Sequence, residues 1–128
     1  MRPRKGAVPF DRNEVMNSLV QQESGGRAGV LGPQTQYGRA QGLTQMLPAT
    51  AEQTARKMGV PWQPGMMTAN TPEAAQYQRQ LGQGYLNEGY QATGNVRDAL
   101  RYYHGGPNRK NWGPKTNGYA DSVLGRVR

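Results

Sequence analysis

The stretch Asp11-Arg12-Asn13-Glu14-Val15-Met16-Asn17-Ser18-Leu19-Val20-Gln21-Gln22-Glu23-Ser24-Gly25-Gly26 decides how the chain is read. Val15, Met16, Leu19 and Val20 fall on one stripe of a helix. Asp11 is placed as N-cap with Glu14 three residues on, a capping-box arrangement, and Phe10 and Val15 are spaced to close a hydrophobic staple. One more turn along the stripe is Glu23, which puts a carboxylate on the core-facing side of the helix end. Ser24-Gly25-Gly26 then breaks the helix and would open a cleft beside it. Glutamate is rarely buried, so a solvated residue near a helix end is the plain alternative. If Glu23 is buried, its pKa rises towards that of a general acid working near neutral pH. Periodicity leaves both readings open.

Working outward, 128 residues suit one compact domain. The absence of Cys excludes disulfides and thiolate metal sites. No apolar run is long enough for a spanning helix. Residues 1–9 read as a flexible basic arm, and they lack the apolar segment of a secretory signal. The net charge of +8 would attract polyanions such as nucleic acid, anionic lipid or wall polymer, or would simply keep the surface soluble. Charge alone does not choose between these.

The segment from Gly25 to Gly42 has no acidic residue and is rich in Gly and Gln, so a long loop or small β-ribbon is expected there. Pro48 opens a second helix that Gly59 ends, with Leu47, Ala51, Ala55 and Met58 at near-helical spacing. Residues 59–70 form a connection. Thr71-Pro72-Glu73 starts a third helix with Ala74, Tyr77, Leu81 and Tyr85 inward, where Gly82 and Gly84 would allow a close helix contact. Asn95 caps a fourth helix that stops at His104-Gly105-Gly106-Pro107. A basic loop over 108–115 and a last helix over 116–124, with Tyr119 and Val123 inward, complete a mainly α fold.

Other chemistry is sparsely represented. His104 is the lone histidine, with no second His or Cys to build a metal site and no serine elbow to build a triad. It reads as a hydrogen-bonded cap after a helix. Neither glycine pair matches a phosphate-binding pattern. Tyr77, Tyr85, Tyr102 and Tyr103 read as core by spacing.

Three segments in order carry more information than any one alone: Gln22-Glu23-Ser24-Gly25-Gly26, then Gly42-Leu43-Thr44-Gln45-Met46-Leu47-Pro48-Ala49-Thr50-Ala51, then Ala99-Leu100-Arg101-Tyr102-Tyr103-His104-Gly105-Gly106-Pro107. They resemble the three signatures of the soluble lytic transglycosylase family, over roughly residues 10–125. The resemblance implies an α+β, goose-type lysozyme-like domain spanning 10–128. It also implies cleavage of the β-1,4 bond between N-acetylmuramic acid and N-acetylglucosamine in peptidoglycan, with a 1,6-anhydro product. In the family the Glu of the first motif is the sole acid/base, which carries over to Glu23. The Gln of the second motif lines the glycan cleft (Gln45), and the Tyr of the third sits over the catalytic carboxyl (Tyr103). Ser24 and Leu47 match motif positions that contact sugar. No cofactor or metal is implied.

The chain departs from the pattern at Thr44, where Met is usual, at His104-Gly105 in place of Asn-Ala, and in a longer loop between the first two motifs. Glycosidases of the two-carboxylate kind need a second acid, and after Glu23 the next acid is Glu52. The expected function is therefore a lytic transglycosylase acting on peptidoglycan glycan strands at the bacterial wall or periplasm. A phage particle, or a larger virion or secretion protein of which this is a domain, would deliver it, and no specific nucleic acid is expected as partner. The alternatives are a hydrolytic muramidase on the same fold and a non-catalytic basic domain that binds DNA or wall polymer.

Overall fold

The computed structural model describes residues 11–127; the basic arm and the Phe10 side of the staple lie outside them. Helix α1 (Arg12–Ser24) starts where the cap predicts: the Asp11 carboxylate accepts from the Asn13 and Glu14 amides at 2.9 and 3.2 Å. Gly25 ends it at φ 65°, the left-handed conformation glycine adopts without penalty. Val15, Met16 and Leu19 are fully buried.

The Gly-rich segment is a ribbon. Strands β1 (Leu31–Thr35) and β2 (Gly38–Gln41) pair antiparallel, with Thr35 opposite Gly38, Leu31 opposite Gln41 and an irregularity between. Helices α2 (Pro48–Met58), α3 (Pro72–Thr93), α4 (Val96–Gly105) and α5 (Pro114–Gly125) follow. Thr71 and Asn95 cap α3 and α4 through their side chains, as expected. The long α3 packs on α2 and α4, and α5 closes over α4 and α1. The core between them includes Leu81, Leu86, Leu100 and Val123. None of the described helices is long and apolar enough to cross a membrane.

Three expectations change in detail. The last helix begins at Pro114 rather than 116, because proline suits the first helical position, and a short 3₁₀ helix (Arg109–Asn111) occupies part of the expected basic loop. Met58 is 38% exposed rather than inward, and it lies across Gly84 of α3. Gly82 serves a loop contact instead of a helix contact: a Cβ there would stand 2.6 Å from the Thr44 methyl group. Thr44 is fully buried against it, so this departure from the family motif is a packing choice.

The connection 59–70 contains a 3₁₀ helix (Pro64–Met67) that is tied down by Gln78, a fully buried residue of α3. Its Oε1 accepts from the amides of Leu43 (2.6 Å) and Gly29 (3.2 Å), while Nε2 donates to the carbonyls of Met66 (2.8 Å) and Ala69 (3.1 Å). One side chain thus satisfies four backbone groups from three loops. Gly42 permits the approach, since a Cβ there would meet the amide oxygen at 2.7 Å. Gln78→Leu would leave those groups buried without partners and is expected to cost about 3 kcal/mol or more in chemical denaturation. Gln80→Leu, at an exposed position of the same helix, should change stability by no more than about 0.5 kcal/mol.

Candidate active site

A cleft of about 680 Å³ runs between the ribbon and the C-terminal end of α4. Pro33, Thr35, Tyr37 and Ala40 form the ribbon wall, while His104, Gly105, Gly106, Pro107 and Asn111 form the opposite wall. Glu23, Gln45, Met46, Leu47, Thr50, Tyr85 and Tyr103 line the space between. The last turn of α1 delivers Glu23 here because its stripe faces inward and Gly25 turns the chain away immediately afterwards.

Burial pushes the Glu23 carboxyl up from the ordinary 4.5 to about 7, so that at neutral pH it exists in both protonation states. The Tyr119 hydroxyl of α5 opposes the shift by favouring the carboxylate. That hydroxyl is buried and makes no hydrogen bond of normal length among the described residues. The Tyr119 and Tyr103 phenols are driven well above their usual range, first by burial and then by the nearby Glu23 charge, so both remain neutral.

The remaining acidic residues are engaged elsewhere. Asp11 and Asp98 serve the starts of α1 and α4. Glu52 pairs with Arg56, Glu88 with Lys57 and Tyr102, and Asp121 with Arg97. Glu14 and Glu73 sit in first helical turns. Glu23 is the one carboxyl among the cleft-lining residues. No cluster of three or more metal-ligating side chains occurs among the described residues.

Four of the five residues singled out from the sequence meet in this cleft: Glu23, Gln45, Leu47 and Tyr103. Their polar atoms are differently free. Tyr103 donates to the Thr44 carbonyl at 2.7 Å and its ring lies 5.3 Å from that of Tyr85. Gln45, at φ 50°, spends its amide protons on the carbonyls of Val30 (2.8 Å) and Gly42 (3.0 Å) at the foot of the ribbon. Ser24 lies outside the cleft lining. It is buried, donates to the Leu43 carbonyl at 2.7 Å and accepts from the Gly26 amide at 3.2 Å, thereby fixing the turn after Glu23. Tyr119, Tyr85 and the ribbon wall were missed as site residues. For Tyr119 a signal existed: a phenol on an inward stripe needs a polar partner at its tip.

The raised pKa has a consequence for stability. Below about 4.5 Glu23 is protonated whether folded or unfolded. Between about 4.5 and about 7 the fold retains a proton that the unfolded chain has lost, so stability falls as pH rises through this window. Glu23→Gln carries no charge to bury. It should match the parent near pH 4 and exceed it by about 1–3 kcal/mol at pH 8 in urea unfolding; a pH-independent difference would contradict the buried-acid account.

Comparison with known proteins bears on the family and the fold. The transglycosylase SLT domain family profile matches residues 10–124. A transglycosylase of Enterobacteria phage PRD1 is 36% identical over 114 residues, covering 88% of this chain and 36% of that protein. The 70 kDa soluble lytic transglycosylase of Escherichia coli superposes with a TM-score of 0.72 at 25% identity, over 94% of this chain and 21% of that one. The chain therefore spans about a third and a fifth of these two relatives. With the motif order, the lysozyme-like fold and the family profile all in agreement, the chain belongs to the transglycosylase SLT family.

Proposed function

We propose that the chain is a peptidoglycan lytic transglycosylase, cleaving the β-1,4 bond from N-acetylmuramic acid to N-acetylglucosamine with formation of 1,6-anhydro-muramic acid. The observation that carries this reading is a cleft lined by a single carboxyl, itself held near pKa 7. Hydrolysis by the usual routes needs a second carboxylate, as nucleophile or to activate water. Ring closure does not. Protonated Glu23 gives its proton to the glycosidic oxygen as the bond to C1 breaks, and the substrate's N-acetyl group supports the cation. The resulting carboxylate takes the proton of the muramic C6 hydroxyl while that oxygen bonds to C1. Glu23 ends protonated, ready for another cycle. A pKa near 7 serves both steps, since the group must be a competent acid first and a competent base second.

Gln45, Leu47 and Tyr103 would shape the glycan site, chiefly by presenting fixed surfaces, because the polar hydrogens of Gln45 and Tyr103 are already committed. Peptidoglycan strands are the proposed partner. Delivery to the wall by a phage particle is favoured over other routes by the likeness to the phage PRD1 protein, and mass spectrometry of purified virions should detect the polypeptide.

Digestion of purified peptidoglycan should release muropeptides ending in 1,6-anhydro-muramic acid, and Glu23→Gln should lower the yield by at least about a thousandfold. Reducing-end products would point to a muramidase, and retained cleavage by the variant would remove Glu23 from its role. Tyr119→Phe removes the hydroxyl that favours the carboxylate, so Glu23 should hold its proton to higher pH. The alkaline limb of the activity profile should then move upward; a downward shift would contradict the arrangement.

A further inference from the structure

His104 faces the cleft on one side and the fold on the other. Its ring stacks on Tyr119 with centroids 4.7 Å apart and planes inclined by 26°. Its Nδ1 lies 3.0 Å from Thr116 Oγ1. Thr116 and Tyr119 stand three residues apart on α5, on the same face, so the imidazole grips that face at two points. The Tyr119 hydroxyl is buried without a hydrogen bond of normal length among the described residues, close enough to Glu23 that each shifts the other's pKa. The set of this one ring therefore governs how closely a hydroxyl meets the acid.

Gly105 bears on the same contact. A Cβ at this position would stand 2.8 Å from Trp112 Cδ1 and 3.2 Å from Thr116 Oγ1. A larger residue would meet Trp112 first and then press on Thr116, the residue beside the imidazole. The two neighbouring departures from the family motif, His104 and Gly105, thus belong to one packing arrangement.

We propose that His104 is a positioning residue for the acid/base: with Gly105 making room for Thr116, its ring clamps the Tyr119 phenol so that the hydroxyl faces the Glu23 carboxyl. The proposal rests on the reading of Glu23 as catalyst. Charged and titratable groups around the device are few. Glu23 meets Tyr119 from α5 and Tyr103 from α4. His104 meets Tyr119 and, through charge, Lys115 at the start of α5; burial and then that charge hold its pKa below the ordinary value. The ring is accordingly neutral at pH 7 and acts by shape and hydrogen bonding.

The test follows Glu23 by carbon-13 NMR titration of its side-chain carboxyl in the whole chain, alongside turnover on peptidoglycan. His104→Ala should release the Tyr119 ring, raise the Glu23 pKa by about half a unit or more, and lower kcat several-fold with KM unchanged. His104→Phe, which keeps the stack, should restore most of both. In a Tyr119→Phe background His104→Ala should add nothing, because the hydroxyl it positions is gone. An unmoved Glu23 titration, or additive effects of the two changes, would overturn the proposal. Gly105→Ala retains the imidazole while crowding Thr116, so it should raise the Glu23 pKa in the same direction even if His104→Ala fails to fold. An unshifted titration there would count equally against the clamp. The NMR readout does not depend on turnover, so failure of the clamp is distinguishable from failure of the catalytic reading, which cleavage by Glu23→Gln would reveal.

Discussion

The buried amide of Gln78 is the constraint on which the site depends. By holding the Leu43 amide it fixes the turn between the ribbon and α2 against α3, and Thr44 reinforces this by donating to the Gln78 carbonyl at 3.1 Å. The same turn presents two carbonyls outward from the clamp. That of Leu43 accepts from Ser24, next to Glu23, and that of Thr44 accepts from Tyr103. The end of α1 and the end of α4 are thereby referred to one short piece of backbone. These bonds help to set the position of the carboxyl relative to Tyr103.

This arrangement explains how a charged residue type can be tolerated on an apolar stripe. Glu23 is enclosed by Tyr103, Tyr119 and the wall of the cleft, with no cation among the described residues placed to neutralise it, so the cost of burial appears as a raised pKa. A salt-bridged glutamate would be ionised and would have no proton to donate. Among the described basic residues, Arg56, Arg97 and Arg101 engage acids on the helical surface, and Arg109 lies over Trp112.

Much of this was legible in the sequence, and the parts that were share a physical basis. Asp11, Thr71 and Asn95 announce helix starts because capping is local, and Glu23 is exposed as unusual because helical period is local too. The ribbon could be narrowed only to a loop or a β-ribbon, since Gly-rich strands carry little alternation. Gln78 gave no signal: a glutamine on a helix is ordinary, and its importance arises from loops distant in sequence. Ser24 matches a motif but does a backbone task, a distinction that depends on which carbonyl the fold brings near. Tyr119 was correctly placed inward, yet it influences the acid only because α5 packs on α1. Local rules find the acid; long-range packing supplies its surroundings.

The central claim is that one enclosed carboxyl suffices because ring closure on the substrate replaces attack by water. Digestion of peptidoglycan in oxygen-18-labelled water tests this most directly. The account predicts released muramic ends lighter by one water than a reducing sugar and free of the label. Incorporation of the heavy oxygen at muramic C1 would show that water is the nucleophile and would contradict it.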